Sequence, residues 1–411
     1  MSSSPHTTEA YARSLDLLHR AITPRGLVAS ITDVSNYQRV WSRDSVICGL
    51  AGILAGDEAL LKALRHSLQS LADNQAPGGQ IPSNVRYDAD DQLEKVSYGG
   101  LCGRVDAVTW WIIGLCNYAR ASEDRAFADH YLPRVERCFD LLRSWEFNDR
   151  GLLYVPQSGN WADEYILDAY VLYDQLLRLW ALEVAGDYFD RSDWLDRARN
   201  LRQLIRHNYW LDGEFDPDRL YHPFAYQRQL EKRGSSNFWE ASFSPGGYIA
   251  KFDLLANSLA LLLDIGTSEQ ADQVIKRAHS ILTGSATGLL PSFWPVIRED
   301  DPEWYFLESN YAYEFRNKPF EFQNAGIWPV FNGWWGAALC QTGASAAATQ
   351  LLDDLGRAVA QEDWGFYECH HGRHGTAHGT PSCTWSAAGF VLLAQSLNGK
   401  ALYYGKRDAS V

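Results

Sequence analysis

The 411-residue sequence holds a single methionine, and its seven cysteines (Cys48, Cys102, Cys116, Cys138, Cys340, Cys369, Cys383) never form a Cys-x-x-Cys pair. An odd, scattered set speaks against a disulfide framework and fits a reduced, cytoplasmic chain. Basic residues are also scarce, 37 against 51 acidic, leaving a net charge of −14. No Lys/Arg block offsets this locally, so nucleic-acid binding, which rests on neutralising phosphates, is disfavoured. No stretch approaches the roughly 18 uninterrupted apolar residues of a membrane span. The opening Met1-Ser2-Ser3-Ser4-Pro5-His6 lacks the basic and apolar regions of a secretion signal. The expectation is a soluble, unexported protein with no nucleic-acid or membrane partner; assembly into a homo-oligomer is left open.

What is present is apolar and aromatic. With 46% hydrophobic and 21% charged residues the chain reads as a packed globular body, and residues 1–411 read as one large domain. Sixteen Trp, 21 Tyr and 17 Phe provide many rigid flat faces. Sugar rings stack on such faces, but filling a large core accounts for them equally well.

Helical periodicity runs from end to end. Leu61, Leu64, Leu68 and Leu71 repeat at helical spacing, as do Ala271, Val274, Ile275, Ala278, Ile281 and Leu282. The pattern predicts twelve helices, near 7–22, 43–55, 58–73, 106–120, 124–145, 167–185, 192–208, 252–263, 267–282, 325–342, 344–362 and 384–396. Turn-forming stretches such as Asn74-Gln75-Ala76-Pro77-Gly78-Gly79 separate them. Twelve helices grouped as six hairpins describe an all-α (α/α)6 toroid, inferred from count and spacing because no sequence repeat is visible. Segments 212–251 and 284–324 lack a clean period and are expected as loops over the mouth of a central pocket.

In such a toroid, side chains at the pocket-facing helix starts converge. Four clusters of acids and aromatics fall there: Trp41-Ser42-Arg43-Asp44, Arg104-Val105-Asp106 with Trp110, Trp161-Ala162-Asp163-Glu164, and Tyr367-Glu368. Helix capping explains Asp44 and Asp106 as readily as a site does, and an Asp44–Arg43 ion pair is a further bland reading. Glycoside hydrolysis needs two carboxyl groups flanking the scissile bond, and Asp106 and Glu368 are the candidates. The run from Cys369 through His370, His371, His374 and His378 invites a metal, but its glycines break any helix that would align the histidines. An active-site loop whose histidines bond substrate or one another is the expectation, with no metal and no cofactor. Asp88-Ala89-Asp90-Asp91 reads as a solvated turn.

The segment Gly103-Arg104-Val105-Asp106-Ala107-Val108-Thr109-Trp110-Trp111-Ile112-Ile113 resembles the Gly-Arg-Val…Asp-Ser-Gly-Leu-Trp-Trp-Ile-Ile stretch of the alkaline/neutral invertases, inverting glycoside hydrolases with an (α/α)6 fold. Arg43-Asp44 is similar to that family's Val-Arg-Asp-Phe, and Ile327-Trp328-Pro329-Val330 to its Ser-Trp-Pro-Val. Glu368 followed by Thr384-Trp385-Ser386-Ala387-Ala388-Gly389-Phe390 is similar to its glutamate and Thr-Trp-Ser-Ile-Ala-Gly-Tyr. The resemblance implies Asp106 as general acid, Glu368 as general base, and Arg43, Asp44, Asp163 and Trp328 as sugar contacts. Around the same motifs, Trp41, Arg104, Trp110, Trp161, Gln175, Tyr367 and Trp385 are further candidate substrate contacts. The family's middle motif, Ile-Asp-Arg-Arg…Glu-Ile-Gln-Ala-Leu, departs here: it reads Trp161-Ala162-Asp163-Glu164…Asp174-Gln175-Leu176, and the arginine pair is gone. Similar patterns occur in the glucosidase domain of glycogen debranching enzymes. The implied activity is exo-acting release of a hexose from a small glucoside, sucrose first; an α-1,6-linked or longer oligosaccharide, and a sugar-binding protein without turnover, are the alternatives.

Overall fold

A computed structural model describes residues 5–283 and 285–405. Residues 1–4, which carry most of the sequence read for a secretion signal, lie outside the described residues.

Six helices are buried on nearly every face: Ser42–Ala55, Asp106–Ser122, Leu172–Tyr188, Leu254–Leu262, Pro329–Gln341 and Thr384–Leu397. Sequences such as Leu254-Leu255-Ala256-Asn257-Ser258-Leu259-Ala260-Leu261-Leu262 are largely apolar with no charged face, which suits an element surrounded by protein. Each packs on the next and the last returns to the first, closing a ring. Six amphipathic helices, Pro5–Arg20, Glu58–Asp73, Arg125–Ser144, Ser192–Tyr209, Ser268–Leu282 and Ser345–Val359, bury one stripe each and form the outer layer. Pro5–Arg20 lies against Thr384–Leu397, and Glu58–Asp73 contacts both Ser42–Ala55 and Asp106–Ser122. This is the (α/α)6 toroid, and all twelve expected helices are present within a few residues of their expected ends.

The inner ring is tight enough to need glycine. A Cβ on Gly333 would stand 2.2 Å from the carbonyl oxygen of Gly389 on the neighbouring inner helix, and one on Gly389 would stand 2.6 Å from Val330 Cα. No L side chain fits at such a backbone approach.

Short strands, absent from the sequence reading, set the helix starts. Val40–Trp41 runs directly into Ser42–Ala55, Tyr170–Val171 into Leu172–Tyr188, and Gly247–Asp253 into Leu254–Leu262. Val40–Trp41 pairs with Asn84–Tyr87, which pairs with Leu93–Ser97. Segment 212–251 is not a loop over the mouth. It folds as helix Pro223–Arg233 and the antiparallel pair Glu240–Ser244 and Gly247–Asp253, seated partly on a small core of Leu211, Leu220 and Tyr226. Segment 284–324 does reach the mouth, through residues 312–316 and Phe322. Among the described residues, no helix is long and apolar enough to cross a membrane.

Candidate active site

A cleft of about 720 Å³ opens where the inner helices begin. Its wall takes residues from segments far apart in sequence: 29–44, 83–104, 161–164, 312–328 and 368–385. The volume lies within the roughly 300–1,000 Å³ of small-molecule sites.

Glu368 lines the cleft yet is only 5% exposed. Its Oε1 accepts a 2.6 Å hydrogen bond from the Tyr37 hydroxyl, and its Oε2 accepts one of 3.4 Å from the Thr380 amide. Burial pushes its pKa above the usual carboxylate value, while Tyr37 and the positive charge of Arg316 pull the other way. A buried carboxylate with its pKa raised suits proton acceptance.

Asp106 is the first residue of its inner helix and sits one layer deeper, 1% exposed. Its Oδ2 accepts from Arg43 Nη1 at 2.9 Å and from the Tyr173 hydroxyl at 3.1 Å. It does not itself line the cleft; its connection runs through Arg43, which does. Oδ1 carries no hydrogen bond among the described residues. Neither aspartate is the N-cap itself: the caps are Trp41 and Val105, which make no side-chain cap bond, and Asp44 and Asp106 lie in the first turn of their helices, where the macrodipole favours them.

Asp44 lies 3.7 Å from Arg43 Nε and lines the cleft. Burial raises its pKa, Arg43 opposes the rise, and Asp106 adds to it. Burial works against the Arg43 charge too, but Asp106 and Asp44 more than offset it and its pKa is raised. Asp44 also acts on Glu368, so its charge reaches both carboxyl groups.

Aromatic faces complete the wall: Trp41, Trp161, Trp328, Phe322 and Trp385. Their indole N–H groups differ in use. Trp41 donates to the Asn36 carbonyl at 2.9 Å and Trp328 to the Phe322 carbonyl at 2.8 Å. Trp161 and Trp385 have buried N–H groups with no acceptor among the described residues, two unsatisfied donors beside the cleft. Arg104 and Asp163, both lining, pair at 2.5 Å, and Gln323 donates to the other Asp163 oxygen at 3.1 Å.

Three expected contacts lie elsewhere. Trp110 is wholly buried, one helical turn beyond Asp106; its N–H donates to Tyr173 at 2.8 Å and its ring packs on Trp180 and Trp334. It therefore touches the site only by holding Tyr173. Gln175 is also wholly buried, bonding both the N–H and the carbonyl of Leu153 at 3.0 and 2.9 Å. Tyr367 points away from the cleft and donates to Glu362 at 2.5 Å, as alternation along an extended segment requires next to an inward Glu368. The histidine run is likewise off the cleft. Cys369–His370 pairs with Ala377–His378, and His371 stacks on His374 with centroids 4.7 Å apart. Among the described residues no three His, Cys, Asp or Glu side chains converge as metal ligands.

Several cleft residues escape a sequence reading: Tyr37, Arg39, Asn84, Arg316 and Thr380. Arg316 holds Glu164 through two bonds of 3.2 and 2.9 Å and lies 3.8 Å over the Phe322 ring, anchoring the 312–316 segment across the mouth. None of these residues carries a periodicity or motif signal.

Comparison with known proteins follows the same outline. A mitochondrial neutral/alkaline invertase 1 of Oryza sativa subsp. japonica is 23% identical over 413 residues, covering 87% of this chain and 64% of that protein. This chain thus spans less than two thirds of that relative's length. Cytosolic invertase 1 of the same plant is 24% identical, covering 95% of this chain and 77% of its own. Among solved structures, a mannosylglycerate hydrolase from Thermus thermophilus superposes with a TM-score of 0.66 at 14% identity, over 94% of this chain and 100% of that one. A bacterial glucoamylase complexed with acarbose gives 0.63 at 16% identity, over 97% and 57%. At such identities the two structures support the shared toroid alone. The alkaline and neutral invertase family model matches residues 17–222 and 223–400, almost the whole described chain, and the protein belongs to that family of glycoside hydrolases.

Proposed function

We propose that the chain is a single catalytic domain, an inverting, exo-acting glycoside hydrolase that releases a hexose from a small soluble glucoside, with sucrose the first candidate. The observation that supports this reading is a buried Glu368, held by Tyr37 on the wall of an aromatic cleft, with Asp106 one layer behind that wall and joined to it through Arg43. Glu368 would accept the proton of the attacking water. Asp106 would donate to the glycosidic oxygen from Oδ1, the oxygen that Arg43 and Tyr173 leave open. Arg43, stacked at 5.3 Å on Trp385, and Asp44 would bind hydroxyls of the sugar in the deepest position. Seven free cysteines fit a cytoplasmic setting.

A second reading keeps the chemistry and lengthens the substrate. The cleft's size and the 94% exposed Tyr313 at its mouth favour further sugar units, including an α-1,6-linked oligosaccharide. Incubation with a disaccharide and oligosaccharide panel, followed by NMR, reads linkage and product anomer together. Inversion with sucrose supports the first reading, and inversion only with longer chains the second. Binding without turnover would reduce the protein to a sugar-binding module, and a retained anomer would remove the inverting mechanism. Asp106→Asn and Glu368→Gln are each expected to lower turnover by orders of magnitude in a folded protein.

A further inference from the structure

One wall of the cleft carries more positive charge than sugar hydroxyls require. It is the three-stranded sheet of Val40–Trp41, Asn84–Tyr87 and Leu93–Ser97, with Arg39 just before its first strand. Arg39, Asn84, Lys95 and Ser97 all line the cleft. In the sheet register Asn84 faces Ser97 and Arg86 faces Lys95. Like charges directly opposed across an antiparallel pair are destabilising. One acid relieves this: Glu94 pairs with Arg86 at 2.7 Å. Lys95 is exposed and has no ion pair among the described residues. Arg39 donates from Nη1 to Asn84 Oδ1 at 3.1 Å, while its Nε is buried without an acceptor.

The other cleft cations are matched. Arg43 is paired with Asp106 and Asp44, Arg104 with Asp163, and Arg316 with Glu164. Glu314 also lines the cleft, in the exposed run 312–314. The groups that act on Arg39 are Arg86, Glu94 and Tyr313, and of these Glu94 is already engaged by Arg86. In a chain of net charge −14, Arg39 and Lys95 on one cleft wall, neither with an ion pair among the described residues, break the local rule, as sequences do at functional positions.

Position decides which part of a substrate meets this wall. Glu368, Asp44, Trp161 and Trp328 are buried at the cleft floor, whereas Lys95 and Tyr313 are exposed at its mouth. In an exo-acting pocket the released sugar occupies the floor and the leaving group the mouth. We propose that the sheet wall binds an oxyanion on the leaving group, so that the substrate class is a glycoside whose aglycone carries a carboxylate or a phosphate, held by Arg39, Lys95 and Asn84. The planar Arg39 fork suits either anion, and Lys95 adds a point charge. This rests on the hydrolase reading for its chemistry, but not for the existence of the anion subsite.

The test therefore has two arms. In the first, kcat/KM is measured for matched substrates: glucosyl glycerol against glucosyl glycerate, and sucrose against sucrose carrying a phosphate on its fructosyl unit. The charged member of at least one pair is expected to be favoured tenfold or more. Which pair responds separates carboxylate from phosphate. That ratio should shrink in Arg39→Gln and Lys95→Gln, and at high salt. In the second arm, calorimetry compares binding of glycerate and fructose 6-phosphate with glycerol and fructose. Hydrolysis of the neutral glycosides with no preference for a charged one, and no tighter binding of the free anions, overturns the proposal and leaves the hydrolase reading standing. Anion binding that Arg39→Gln and Lys95→Gln weaken, in a protein that cleaves none of the panel, supports the subsite and overturns the hydrolase reading instead. Anion binding indifferent to both substitutions overturns the proposal whatever the activity.

Discussion

Deleting one hydroxyl, by Tyr37→Phe, probes the assignment of Glu368 as the base. The phenol donates to Glu368 Oε1 at 2.6 Å, in the length range of bonds to a charged acceptor. Such bonds contribute about 1.5–3 kcal/mol, and roughly 1.4 kcal/mol is one decade. The bond favours the ionised carboxylate, so it opposes the upward push of burial on the Glu368 pKa. Phenylalanine keeps the ring and loses the bond, and the pKa rises further. A base must be ionised to act, so activity fails as pH falls through its pKa. The acid limb of the kcat/KM profile is therefore expected to move to higher pH, with a loss on the order of tenfold to a hundredfold on that limb and a smaller one on the alkaline side. A limb that stays in place, or moves to lower pH, would refute the role of Glu368 as the titrating base.

Glu164→Gln should move the same limb the other way: it removes the acid that neutralises Arg316, whose charge then acts more fully to lower the Glu368 pKa; KM is expected to rise as the 312–316 segment loosens, and a pH–rate profile checks both. Gly333→Ala places a methyl 2.2 Å from the Gly389 carbonyl and is expected to destabilise the fold by about 1–3 kcal/mol or more, read as a lower thermal midpoint; an unchanged midpoint would mean the two inner helices are not in backbone contact. Asp253 caps its helix through a 3.0 Å bond from the Ala256 amide, and burial pushes its pKa up to about 7. The folded protein thus holds a proton that the unfolded chain loses near pH ~4, so this stability is present at low pH and is lost as pH rises toward and through about 7. Asp253→Asn keeps the cap and is expected to flatten that fall in urea midpoints across the same window; an equal fall in variant and parent would sink the assignment.

The toroid was legible in the sequence because helices report themselves locally. An outer helix such as Ser268–Leu282 must alternate one buried stripe with one wet face, and an inner one such as Leu254–Leu262 must be largely apolar and uncharged on every side. Asp106 and Glu368 were legible as candidates because an acid beside aromatics at a helix start, or in the segment ahead of one, is chemically conspicuous. What periodicity could not convey is direction. Trp110 and Gln175 sit in motifs that reach the cleft, but one turn of helix carries them into the core, and Tyr367 faces outward because its neighbour Glu368 faces in. Nor could sequence pair Tyr37 with Glu368, 331 positions apart, or set Lys95 opposite Arg86. Local spacing determined which segments are helices and which acids were available. Ring closure, strand register and the facing of side chains, all set by contacts between distant segments, decided which of those groups share one cleft and what charge surrounds them.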